Sequence, residues 1–151
     1  MYEAFRDALV AKASSMVAGD PLDPSTKMGA VVSNDHMNKI LSYIDLAREE
    51  GGRILCGGHR VHPEGVENGF YVAPTVIEGL GPQCRTNQEE IFGPVVTLQP
   101  FDTEEEALAL ANDTAYGLAA TVWTNDLTRA HRVAGALESG IVWVNLSLIH
   151  I

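Results

Sequence analysis

Positive charge is scarce in this chain. Ten Lys and Arg stand against twenty Asp and Glu, for a formal charge of −10. Such an acidic surface repels polyanions, which argues against nucleic acid and anionic membranes as partners. Cysteine is scarcer still. Cys56 and Cys84 are the only two, and no signal peptide is recognisable, so a reducing, cytoplasmic compartment is expected. No apolar run approaches the length of a membrane span. Gly-x-Gly-x-x-Gly is missing, which counts against an independent nucleotide-binding module. Internal repeats and low-complexity tracts are absent as well. What remains is 151 residues, 46% of them hydrophobic, enough for one globular domain with a real core.

Helical periodicity marks residues 2–17, with Phe5, Leu9, Ala13 and Met16 on one face. Gly19-Asp20-Pro21 ends that helix, and Pro24 prolongs the loop. Met37, Ile40, Leu41, Ile44 and Ala47 predict a second amphipathic helix, capped by Ser33 or Asn34 and stopped by Gly51-Gly52. Residues 53–56 read as a short strand and 57–69 as an exposed loop rich in Gly, His and Pro. Residues 70–76 are extended, with Pro74 making them an edge or irregular strand. Residues 95–98 read as a buried strand. Thr103 and Glu106 form a capping box for a helix with Ala107, Leu108 and Ala111 inward. A strand follows at 118–123. Asp126 caps a helix carrying Leu127, Ala130, Val133, Ala134 and Leu137, and 141–144 is a last buried strand. Strands alternating with amphipathic helices predict an α/β fold with a largely parallel, helix-covered sheet.

The densest information lies in Gln88-Glu89-Glu90-Ile91-Phe92-Gly93-Pro94-Val95. Gly-Pro forces a turn, and the residue before Pro94 is pushed toward extended geometry, ready for a strand at Val95. A carboxylate and an aromatic ring are thereby displayed at the rim of a sheet, where α/β proteins bind ligands. A carboxylate there can accept hydrogen bonds from both hydroxyls of a ribose. The plainer reading is a surface turn with solvated acids and a core Phe.

Glu-Glu-Ile-Phe-Gly-Pro-Val resembles the signature of the aldehyde dehydrogenase superfamily. Gly19-Asp20-Pro21 with Gly29, the Gly57-Gly58 pair, Pro74-Thr75-Val76, Asn112 through Tyr116-Gly117-Leu118, and Gly140 through Val144-Asn145 resemble its further landmarks in order and spacing. The wording of Pro100-Phe101, Thr121 to Asn125 and Gly140 to Asn145 looks closest to the 2-hydroxymuconate and 2-aminomuconate semialdehyde dehydrogenases. The resemblance implies a partial three-layer α/β catalytic domain over residues 1–145, without the coenzyme-binding domain. Residues 146–151 are expected to be a tail foreign to the family. It further implies an NAD-dependent parent enzyme, a homo-oligomer, that oxidises a small aldehyde through a cysteine thiohemiacetal. Glu90 matches the glutamate that binds the nicotinamide ribose, and Phe92 the aromatic on the nicotinamide side. Lys39 falls where many members place a lysine near the other ribose; a solvated helix lysine is the plain alternative. His36 falls where many have glutamine. Glu89 matches no role and is expected to be solvated.

The family's nucleophilic cysteine, its general-base glutamate and its phosphate-cradling turn all have no counterpart in this sequence, so no catalytic residue is assigned and the piece is expected to be inactive. Cys56 follows Ile54-Leu55 on an apolar strand and reads as buried and inert. Cys84, beside Arg85, reads as a surface-loop thiol. Cys56, His59 and His62 have a Cys-x-x-His-x-x-His spacing, but no second ligand pair closes a zinc site, and no metal is expected. A competing reading is a short, non-catalytic protein that associates with full-length dehydrogenase subunits.

Overall fold

A computed structural model describes residues 1–146. Two compact units divide the chain, Met1–Pro100 and Phe101–Ile151.

The first unit is built around helix α2, Asn34–Glu49. The Ser33 side chain accepts from the His36 amide and satisfies one of the unpaired donors of its first turn. Of its apolar stripe, Met37, Ile40, Ile44 and Ala47 are buried and Leu41 is half-buried. Met37, Ile40 and Ile44 form one cluster with Val72, onto which Val31, Phe70, Ile91 and Val95 pack. Gly51, at φ 89°, follows in the left-handed conformation that ends helices. Helix α1 spans Tyr2–Ser14, shorter than its periodicity predicts. The Ser15 hydroxyl donates to the Lys12 carbonyl, an alternative to further helix. Ala13 is buried and Leu9 packs against the Ala13, Val76 and Leu98 cluster, but Phe5 and Met16 are exposed.

Strands β1 (Arg53–Cys56), β4 (Thr75–Glu78) and β5 (Val95–Leu98) form a sheet in the order β1-β4-β5. β1 runs antiparallel to β4, and β4 parallel to β5. The loop expected over 57–69 contains a short strand, β2 (Arg60–Val61), antiparallel to β3 (Tyr71–Val72). Pro74 does not demote the chain to an edge. It separates β3 from β4, and all four β4 residues are buried at the centre of the sheet. Proline removes a donor only at its own position, and the next donor, the Thr75 amide, already bonds the Pro94 carbonyl. Gly57 makes the crossing possible: at φ 71°, a Cβ there would stand 2.2 Å from the Pro74 carbonyl oxygen. At the end of β4, the buried Glu78 accepts from Arg53 and from the Tyr2 hydroxyl, with Arg6 at 3.9 Å. These bonds, Arg53's first, hold its carboxyl below the ordinary range despite burial. β5 is half-buried rather than buried, with Val96 exposed.

The second unit holds α4 (Glu104–Asn112), β6 (Ala119–Val122), α5 (Leu127–Ala136) and β7 (Ile141–Val144), with β6 and β7 parallel. Thr103 accepts from the Glu106 amide as its capping box requires, but Glu106 returns the bond to Asp102, one residue before the cap. Asp126 caps α5 through the Arg129 amide. Glu104 receives both Arg129 and Arg132, tying α4 to α5. Ala130 is buried, whereas Ala111 and Leu127 are exposed, against expectation. The expected foreign tail, 146–151, lies outside the described residues from 147 onward.

Candidate functional site

One polar stripe of α2 faces the Glu-Glu-Ile-Phe-Gly segment. His36, Lys39, Tyr43 and Glu50 recur at helical spacing, the last at the helix C-cap. Each bonds part of residues 85–92. The Glu50 carboxylate accepts the Arg85 amide at 2.7 Å, the Thr86 amide at 3.2 Å and the Thr86 hydroxyl at 2.7 Å. It thus caps the short helix α3 (Arg85–Gln88), whose own N-cap residue, Cys84, supplies no side-chain bond. Burial acts to raise the Glu50 carboxyl, but these three bonds outweigh it and hold the group below its ordinary value.

Glu89 is half-exposed but not free, as a merely solvated acid would be. Arg85 donates to it through Nε at 2.7 Å and Nη2 at 3.0 Å, and the Tyr43 hydroxyl donates to its Oε2. The two-pronged arginine contact is the main cause that brings the Glu89 carboxyl down to about 2; the Tyr43 bond adds to it. The same contacts push the Tyr43 phenol and the Arg85 guanidinium upward.

Glu90 faces the other way. Its side chain is exposed and has no partner among the described residues, while its backbone carbonyl accepts Lys39 Nζ at 3.0 Å. Lys39 also stands 5.7 Å from the centre of the Tyr43 ring. Ile91 turns inward onto the α2 core. Phe92 turns outward, 71% exposed, which removes the reading of a core Phe. Its φ is 58°, a left-handed conformation uncommon for a bulky residue. The Phe92 carbonyl lies 2.6 Å from His36 Nε2, so the imidazole donates there, and the two rings are tilted with centroids 6.0 Å apart. Gly93 then passes so close to α2 that a Cβ would sit 2.6 Å from Ile40 Cδ1. The four residues singled out in the sequence, His36, Lys39, Glu90 and Phe92, therefore share one patch. Tyr43 and Glu50 complete it from α2 and were not singled out, although their helical spacing with His36 and Lys39 marks them; Arg85 and Glu89, the latter expected to be solvated, complete it from the facing segment.

Neither cysteine is presented to solvent as a nucleophile. Cys56 is half-buried against the Ala13, Val76 and Leu98 cluster, its thiol 3.7 Å from the Pro74 carbonyl. Cys84 is not a surface-loop thiol: it packs on the Ala47, Ile77 and Leu80 cluster. His59 Nδ1 bonds the Gly57 carbonyl, and among the described residues no group of three or more His, Cys, Asp or Glu converges. Two clefts of the first unit lie elsewhere, one along Arg6, Val10 and Arg53, the other along His59, His62 and Pro74. Both are open surface grooves. The exposed carboxylate of Glu90 and the exposed ring on the left-handed backbone of Phe92 are the more specific chemical signal.

Glu90 and Phe92 are thus displayed in an α/β unit just ahead of β5, which runs parallel to β4. The aldehyde dehydrogenase family model matches residues 1–150, and the chain belongs to that family. An aldehyde dehydrogenase of Deinococcus radiodurans is 47% identical over 145 residues, covering 96% of this chain and 28% of the relative. A betaine aldehyde dehydrogenase of Cereibacter sphaeroides is 48% identical, with 95% and 29% covered. The crystal structure of betaine aldehyde dehydrogenase from Staphylococcus aureus in complex with NAD+ superposes with a TM-score of 0.91 at 44% identity, over 95% of this chain and 28% of that one. The chain thus spans less than a third of the length of these relatives.

Proposed function

We propose that this chain is part of the catalytic domain of a cytoplasmic, homo-oligomeric, NAD-dependent aldehyde dehydrogenase, and that Glu90 and Phe92 form its contact with the nicotinamide riboside. The substrate class is a small aldehyde, and the wording of the second unit favours a muconic semialdehyde. One observation carries the reading: of two adjacent acids, Glu89 is engaged by Arg85 and Tyr43, while Glu90 is exposed and, among the described residues, unpaired beside a left-handed Phe92. An unpaired carboxylate is the acceptor that two ribose hydroxyls require. A ring pushed out of the core supplies a flat apolar face for a nicotinamide. Bound NAD would accept the hydride that aldehyde oxidation releases. In this chain Glu90 would orient the ribose, Phe92 would support the nicotinamide, and His36 and Lys39 would hold the backbone that carries them.

The test is steady-state and single-turnover kinetics in the full-length dehydrogenase carrying this segment. Glu90→Gln keeps the shape but loses the charge, and a charge-assisted bond is worth about 1.5–3 kcal/mol. The expected result is an NAD KM raised roughly tenfold with slower hydride transfer. Glu49→Gln, exposed on α2, is the control. Wild-type NAD kinetics in Glu90→Gln would remove the assignment.

A further inference from the structure

We infer that Glu89 is a positioning residue, clamped by Arg85 and Tyr43 so that Glu90 and Phe92 are aimed outward. The inference rests on the reading of Glu90 and Phe92 as coenzyme contacts and supplies what that reading lacks, a reason for the acid pair.

Glu89 has extended backbone angles, φ −114° and ψ 146°. In extended chain, successive side chains leave on opposite sides. Once Glu89 points down to the α2 stripe, Glu90 must point away from it. Ile91 goes down into the core, and the left-handed backbone at Phe92 leaves its ring outside. The carbonyls are fixed as well, Glu90's by Lys39 and Phe92's by His36. A left-handed phenylalanine persists only where its surroundings determine it from several sides, and here the bonds fall on both sides of Ile91.

The pair also solves a problem of competition. Arg85 sits four residues before Glu89 and pairs with it, and Glu90 is the next carboxylate along the chain. Glu89 saturates that guanidinium through two donors. Without Glu89, the cation is released beside Glu50, which already holds the Arg85 amide, and beside a segment no longer clamped, where an ion pair with Glu90 would occupy the carboxylate that has to meet the ribose. Tyr43 contributes a neutral donor, so it steers Glu89 without adding a second cation that Glu90 would compete for.

Three variants in the full-length dehydrogenase carrying this segment test the clamp: Glu89→Gln, Tyr43→Phe and the double change Glu89→Gln/Arg85→Gln. Amide hydrogen exchange over residues 89–93 reports order, and NAD KM and aldehyde KM report function. Glu89→Gln is expected to speed exchange in that segment at least tenfold and to raise the NAD KM several-fold, with the aldehyde KM unchanged. Tyr43→Phe moves both in the same direction by less. The double change lowers the NAD KM back toward wild type, because the competing cation is gone, although exchange stays fast. A merely structural role would make the double variant worse than the single one, and that result overturns the inference. So does a wild-type NAD KM in Glu89→Gln when Glu90→Gln is impaired. Wild-type NAD KM in both Glu89→Gln and Glu90→Gln, with exchange still accelerated, would instead sink the coenzyme reading.

Discussion

Adjacent glutamates of identical chemistry end in opposite environments, and the difference is measurable. Glu89, held by Arg85 and then by Tyr43, lies at about 2 against an ordinary value of 4.5. A carboxyl lowered on folding contributes stability that is present above its unfolded value and lost as pH falls through the folded one. The clamp should therefore stay closed at pH 4.5 and open as the pH drops toward 2. In an NMR titration of side-chain carboxyl carbons, the Glu89 midpoint should lie near 2. It should rise toward the ordinary value in Arg85→Met and, by less, in Tyr43→Phe. A midpoint near 4.5 in the unaltered protein would show that the ion pair is not formed. At this scale the sequence was only partly legible. Glu90, Phe92, Lys39 and His36 stand together because short motifs and their spacing survive in the fold. Glu89 read as solvated because its partners, four residues back on one side and on a distant helix on the other, announce themselves only once α2 is docked. Phe92 and Ile91 exchange the roles that hydrophobicity alone suggests, since a positive φ cannot be read from a residue type that usually avoids it.

Helix α2 is the element on which the candidate site depends. Its apolar stripe makes the core and its polar stripe makes the bonds to residues 85–92. Ser33→Ala removes its N-cap and should cost about 1 kcal/mol of stability. The loss should appear as a lower denaturation midpoint at unchanged m-value, with exchange accelerated first around His36 and Phe92. An unchanged midpoint would mean that the Ser33 bond to the His36 amide is replaced by water at no cost. Elements of this kind were the most legible part of the chain: α2, β1, β5 and the Asp126-capped α5 appear where periodicity and caps predict. The misreadings were of context. Proline at 74 suggested an edge, and yet β4 is central, because the break falls between strands. Amphipathic patterns overstated burial at Phe5, Met16 and Leu127, because a pattern marks which face is apolar without saying what covers it.

For the whole molecule, the distribution of apolar surface decides its behaviour in solution. Leu118, Trp123, Leu127 and Ile141 are all more than half exposed in the second unit, and Val96 is exposed on β5. Exposed apolar side chains on unpaired strands promote association. The isolated chain is expected to self-associate in light scattering. It is also expected to yield no NADH above background with NAD and any aldehyde, since both thiols are packed against core clusters. A monodisperse monomer would contradict the first expectation, and turnover abolished by Cys84→Ser would contradict the second. The parallel pairing of β6 with β7 follows the strand–helix alternation of the sequence, whereas the sequence marks no helix between the stretches that form β4 and β5. The antiparallel additions, β1 on β4 and β2 on β3, are not marked either, because the glycine-rich stretch between β1 and β4 carries no helical or alternating pattern that would mark strand direction.

The left-handed Phe92 sets a trap for protein engineers. A bulky residue at φ 58° carries roughly 1–2 kcal/mol of backbone strain that Asn tolerates far better. Little burial is forfeited at a side chain 71% exposed. Phe92→Asn should therefore hold or raise the melting temperature of the full-length dehydrogenase carrying this segment, while its NAD KM climbs. A campaign that selects for heat resistance alone would collect this substitution as an improvement and hand back a hardier, slower enzyme.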